Sequence, residues 1–201
     1  SEGWVLMAGW APGAAPIDLG DNVGFEVKPG QDLVLQMHYY DSFPGANQLA
    51  DQSGYAMRTT DRVDKVVHQM PFGAYDFLIP AGEENYVVEG EFTLGNGSAF
   101  GWDIRAMFPH MHVLGQEYKA WIDHKDGTQT CIADGPYDFF NQLTYVYKEP
   151  PVLGPGDTLK MQCIYNNSAS IPLQLNDPIQ DVTYGEGTND EMCIFETMIT
   201  G

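Results

Sequence analysis

The chain has 201 residues, 28 of them acidic and 9 basic, for a formal charge of −19. That length suffices for one large or two small domains with a real core, and that charge excludes nucleic acid as a partner, because phosphate contacts need clustered Lys and Arg. Its 22 glycines, 13 prolines and frequent aromatics, with turn signals between short apolar runs about every 8–12 residues, point to an all-β fold, an antiparallel β-sandwich.

No apolar run approaches the roughly eighteen residues of a spanning helix, so no transmembrane segment is expected. The chain opens at Ser1, without methionine, in the apolar stretch GWVLMAGWAPG, as a mature or truncated product would. The acidic surface suits an extracellular or high-salt setting, although no calcium loop of the EF-hand type is present.

In chain order, QDLVLQMHYYD after the KPGQD turn reads as the first strand. Leu33, Leu35, Met37 and Tyr39 take one face, and Val34, Gln36, His38 and Tyr40 the other. A stretch rich in Pro, Gly and Asp (41–53) interrupts the pattern, and YAMRTT is a short strand. A boundary near Arg62 would divide the chain into 1–62 and 63–201. Beyond it, 62–94 gives two strands around IPAG, GNGS reads as a hairpin turn, and 99–123 supplies two more strands. HKDGTQ is a second hairpin, and DTLKMQCIYNN is a clean strand after the GPGD turn. A loop of 25 residues, Asn166 to Asp190, precedes the last strand, EMCIFETMI; a loop that long marks function or a covalent tether. Cys163 and Cys193 flank it. A disulfide between them would close a loop of about thirty residues and contribute about 3–4 kcal/mol by the chain-entropy argument. Cys131 is left over, free or paired outside this chain.

Two of the five histidines fall in FPHMHVLG. On a strand, His110 and His112 would leave one face about 6.6 Å apart, and two imidazoles so placed can reach one ion at about 2 Å. Solvated hairpin residues are the alternative. Met192, in GEGTNDEMC at the exit of the long loop, is the candidate third ligand, with core filler as its alternative. Two imidazoles and a thioether form a soft, low-charge set that favours copper, Cu(I) above all. His38 alone reads as a satisfied core histidine, His68 as an ordinary strand residue, and His124 as solvated beside the KDG turn. No GxSxG elbow, P-loop, HExxH or GxGxxG occurs, and no pair among the many carboxylates is singled out for glycoside chemistry.

Taken in order, GWAPGAAP…VGFEVKPGQDLVLQMHYYD, IPAG, HMHVLG, PGDTLKMQCIYNNS and GTNDEMC resemble the copper type II, ascorbate-dependent monooxygenases over nearly the whole chain. That family includes peptidylglycine α-hydroxylating and dopamine β-monooxygenases. By this resemblance, His110, His112 and Met192 match the ligands of the copper that binds dioxygen. His38 matches the third histidine of a second copper, which passes electrons, and Cys163 and Cys193 match a family disulfide. The implied fold is two jelly-roll β-sandwiches whose coppers face each other across a solvent-filled cleft. Residues 1–62 would be the C-terminal part of the electron-transfer domain and 63–201 the oxygen-binding domain. The implied activity is hydroxylation of a C–H bond in a small-molecule substrate, using dioxygen and ascorbate or another reductant. The implied location is extracellular, periplasmic or in the secretory lumen, where a disulfide persists.

Two departures qualify the resemblance. The family's adjacent histidine pair, which completes the second copper site, does not occur here. Either this protein has lost that copper or the rest of the site lies elsewhere; because His38 is in place, an upstream part of the same protein, or another chain, is expected to complete the first domain. Peptide-amidating members also hold the substrate carboxylate with an Arg two residues before the first histidine and a Tyr four after the Met. Here those positions are Phe108 and Glu196, so peptidylglycine is not the expected substrate. The competing class is an extracellular copper-binding or structural sandwich without turnover. A third is a calcium-dependent adhesive sandwich that uses the carboxylates around Asn166 to Asp190.

Overall fold

Alternation sets the strands. In Thr158–Tyr165, Leu159, Met161, Cys163 and Tyr165 are buried while the residues between them stay partly exposed, the period of two that places one strand face on a core. The computed structural model describes residues 6–11, 13–37, 39, 50 and 52–201. Among these there is no helix, and the strands are β1 (Val23–Gly24), β2 (Lys65–Val66), β3 (His68–Ala74), β4 (Leu78–Ile79), β5 (Tyr86–Thr93), β6 (Trp102–His110), β7 (Gly115–Asp123), β8 (Gln129–Pro136), β9 (Tyr145–Val146), β10 (Val152–Leu153), β11 (Thr158–Tyr165), β12 (Val182–Thr183) and β13 (Cys193–Thr200). The all-β antiparallel expectation holds.

One sheet runs β5-β11-β7-β8 and the other β10-β6-β13-β3, with β9 also paired to β6. Every pairing within these two sheets is antiparallel. Tyr165, Phe195, Met107, Met111, Ile122 and Leu159, each at most 2 % exposed, belong to one core cluster fed by both sheets. A disulfide joins Cys163 on β11 to Cys193 on β13, and so ties one sheet to the other. Cys131 is exposed with a free thiol.

Several local expectations need correction. HKDGTQ is a hairpin, joining the paired strands β7 and β8. GNGS is not: β5 and β6 lie in different sheets, and the turn carries the chain from one to the other. Asn-Gly and the closely similar Asp-Gly serve both uses, because such a pair fixes the bend and not the partner. Within the expected strand Gln31–Asp41, residues 31–37 have no ladder partner among the described residues, and Leu33, Val34 and Leu35 are exposed. YAMRTT is likewise unpaired, with Tyr55 and Met57 exposed. An apolar alternating segment becomes a strand only where a neighbour supplies hydrogen bonds and a face to cover it. The long loop is also less irregular than expected, since β12 within it pairs with β4.

Upstream of position 62, β1 pairs in parallel with β2, and Ile17, Leu19, Val23 and Phe25 pack on Val67, Ala106 and Met198. His38 lies outside the described residues.

Candidate metal centre

His110 is the last residue of β6 and lies opposite Ile194 of β13; two and four positions back, Phe108 faces Glu196 and Ala106 faces Met198. On the other side of β13, Ile194, Glu196 and Met198 face Gly73, Pro71 and Gln69 of β3. Residues directly opposite one another share a sheet face. His110, Phe108, Glu196 and Gln69 therefore stand together on the face opposite the buried Met107 and Phe195. The Phe108 ring is stacked on His110 at 5.9 Å between centroids, and a cavity of about 210 Å³ over this face is lined by both, with Trp10, Ile17, Gln69 and Glu196.

After His110 the chain leaves β6 and crosses to β7 in the other sheet. The crossing is tight. Met111 is fully buried, its carbonyl accepts a hydrogen bond from the Tyr137 hydroxyl, and a Cβ at Gly115 would meet Met111 Cβ and Tyr137 Cδ1, both at 2.9 Å. His112 thus sits in the crossing and not on a strand as expected, yet its ring stays beside that of His110, with centroids 5.3 Å apart and planes at 80°.

The hydrogen bonds of the two rings fix their tautomers. His112 Nδ1 lies 2.9 Å from the Asp190 carbonyl oxygen, which can only accept, so Nδ1 carries the proton. Gln142 is oriented by its own amide nitrogen, which donates to the Phe139 carbonyl at 3.0 Å. Its Oε1 therefore faces His110 Nδ1 at 2.9 Å and accepts from it. In the neutral His110 ring the remaining lone pair is on Nε2, the arrangement that metal-bound histidines adopt when a partner holds the other nitrogen. Burial, aided by the neighbouring His112 and opposed by the Gln142 contact, pushes His110 down to about 4. The ring is uncharged at neutral pH and available as a ligand.

Met192 is placed by its neighbours. Its carbonyl accepts from the Tyr165 hydroxyl at 2.7 Å, and the next residue, Cys193, is bonded to Cys163. The residue before it, Glu191, is wholly buried and reaches the histidine crossing. Its Oε2 accepts from His112 N at 2.8 Å and from Met192 N at 3.2 Å, and its Oε1 accepts from Leu114 N at 2.7 Å. Burial raises the Glu191 carboxyl above the usual carboxylate range, while those three N–H groups oppose the shift by favouring the ionised form. Among the described residues, no three His, Cys, Asp or Glu side chains come together as a metal cluster. An ion held by the two imidazoles would need a ligand of another type, and the Met192 thioether is the nearest in chain terms to the His112 contact.

Glu191, Gln142 and the Asp190 carbonyl were not singled out from the sequence. Glu191 sits in the DEMC motif, but an acid between a loop and a strand reads as solvated surface.

The two-sheet fold, with a histidine pair where the chain crosses between its sheets, belongs to a sequence that matches one family of oxidoreductase domains. The family description "Copper type II ascorbate-dependent monooxygenase, C-terminal domain" matches residues 66–198, and the chain belongs to that family. It is 29 % identical to "DBH-like monooxygenase protein 2" of Mus musculus over 177 residues, which cover 80 % of this chain and 28 % of the relative. It is 27 % identical to "Putative DBH-like monooxygenase protein 2" of Homo sapiens over 193 residues, 89 % of this chain and 36 % of the relative. It is 26 % identical to "Peptidyl-glycine alpha-amidating monooxygenase A" of Xenopus laevis over 195 residues, 94 % of this chain and 19 % of the relative. The chain thus spans little more than a third, at most, of the length of these relatives. No helix among the described residues is long and apolar enough to cross a membrane.

Proposed function

We propose that this chain holds copper through His110, His112 and Met192 and, as part of a longer protein, hydroxylates a C–H bond of a small-molecule substrate. The observation that carries the reading is the pair of rings 5.3 Å apart, each with Nδ1 committed to a carbonyl oxygen. With Nδ1 so engaged, Nε2 is the atom each ring would offer a metal, and with the Met192 thioether the two imidazoles make a soft N,N,S donor set. Bound copper would supply dioxygen activation and redox chemistry, with ascorbate or another reductant as the electron source.

The chain's own residues have separable parts in this. His110 is uncharged at neutral pH and needs no deprotonation to ligate. Gln142 and the Asp190 carbonyl hold the two rings in the ligating tautomer. The cavity beside His110 receives the substrate between apolar walls and the Gln69–Glu196 pair, whose side chains bond each other at 2.8 Å. Its aromatic and anionic lining disfavours an anionic group, and so a glycine-extended peptide. His38 is the residue of this chain that would serve a second copper, completed by an upstream part of the protein or another chain. An extracellular, periplasmic or lumenal location fits a disulfide that closes a long loop.

Titration of the chain with Cu(I), alongside Met192→Ala and His110→Ala, tests the ligand set. Both variants should lose at least about tenfold in Cu(I) affinity. Unchanged affinity in Met192→Ala would defeat the assignment.

A further inference from the structure

The β6–β13 ladder begins at Ile194 opposite His110. Carried one step further, antiparallel register would set Met192 opposite His112 and close the pair with backbone hydrogen bonds. The ladder stops short of that step. His112 N instead gives its hydrogen bond to the Glu191 carboxylate, as does Leu114 N, while the same side chain also takes the N–H of Met192. One buried carboxylate replaces the missing ladder step and ties the segment that carries Met192 to the crossing that carries His112.

We propose that Glu191 is a positioning residue that sets the Met192 thioether against the His110–His112 pair. The inference rests on the copper reading above. Three features give it substance. Glu191 is 0 % exposed and forms no ion pair among the described residues, so its oxygens are engaged by backbone N–H groups and not by a cation. Its two oxygens serve different donors, Oε2 for His112 and Met192 and Oε1 for Leu114, so both must be acceptors. The donors also belong to segments 77 and 79 residues away as well as to its own neighbour, which makes the carboxylate a link between chain segments.

A carboxylate is the one side chain that meets all of this. In Glu191→Gln an NH2 would face a backbone N–H at one of the two oxygen positions and break the link on one side. In Glu191→Asp the carboxyl group is kept but is a methylene short of the crossing. Neither change touches a ligand atom.

The test is X-ray absorption at the copper edge on the Cu(I)-loaded 201-residue chain, with Cu(I) affinity and unfolding temperature measured on the same samples. Wild type should show two imidazole nitrogens and one sulfur. Glu191→Gln should retain the nitrogens, lose the sulfur and bind Cu(I) about tenfold more weakly; Glu191→Asp should fall between the two. Asp157→Asn alters a buried carboxylate at the far end of β11 from Tyr165 and should keep the sulfur even where it lowers the unfolding temperature. Sulfur at wild-type occupancy in both Glu191 variants overturns the inference alone. A wild type without sulfur overturns the copper reading and the inference together.

Discussion

Phe108 and Glu196 stand directly opposite each other on neighbouring strands, one stacked on His110 at 5.9 Å and the other bonded to Gln69 at 2.8 Å. The cavity beside the histidines therefore has an aromatic wall and a carboxylate where an anion-binding site would carry a cation and a donor. A glycine-extended peptide should not be turned over by the full-length protein. Glu196→Gln should tighten binding of such a peptide by roughly tenfold, a discounted share of the Coulomb repulsion for a half-exposed group. Calorimetric titration of wild type and variant reads this directly, and equal affinities would remove Glu196 from substrate discrimination.

The Cys163–Cys193 bond closes a loop of sequence separation 30 and anchors the residue next to Met192. Replacing both cysteines by serine should cost about 3–4 kcal/mol and lower the unfolding temperature by roughly 6–16 °C. The exposed Cys131 should react alone with a thiol reagent in the native protein, and all three cysteines only after reduction and unfolding. More than one reactive thiol in the native state would contradict the pairing.

What could be read from the sequence is what leaves a local trace. The period of two in DTLKMQCIY and the Asp-Gly turn between β7 and β8 are written in adjacent residues. The closeness of His110 and His112 was also legible, but for a partly wrong reason. They meet because the chain turns out of β6 between them, and not because both project from one strand. GNGS failed as a hairpin because turn chemistry does not name the next sheet. Residues 31–37 failed as a strand because pairing is a property of neighbours. Glu191 and Gln142 left no periodic signal at all, since their partners lie 77–79 and 32 positions away. His124, expected to be solvated, instead contacts Asp157 through Nδ1 at 2.7 Å and Thr130 through Nε2 at 2.8 Å.

Asn167 holds the long loop to the rest of the fold. It is fully buried, and its amide nitrogen donates to the carbonyls of Ile79, Pro80 and Gln180 at 3.2, 3.1 and 2.9 Å, while Oδ1 accepts from Gln174 at 3.1 Å. Asn167→Ala leaves those carbonyls without their donor and should cost about 2–3 kcal/mol in urea unfolding. Asn167→Asp should cost more, because a carboxylate would face three carbonyl oxygens. A loss below about 0.5 kcal/mol in the alanine variant would mean that water replaces the amide without penalty.

Asp157 gives the fold an acid limit. Burial works against its charge, but Lys125 N at 2.9 Å, His124 Nδ1 at 2.7 Å and Gly154 N at 2.9 Å outweigh it and hold the carboxyl below its ordinary value near 3.8. A depressed folded-state pKa means that the unfolded chain binds the proton first as pH falls. The carboxylate's stabilisation is therefore complete above the ordinary value and is lost as pH drops from there through the lower folded value. Wild type should be more stable than Asp157→Asn at pH 6, and the gap should narrow below pH ~3.8 as protonation makes the two side chains alike. Urea unfolding of both proteins between about pH 2.5 and 6 measures the gap, and two parallel curves across that range would show that Asp157 carries no linked proton.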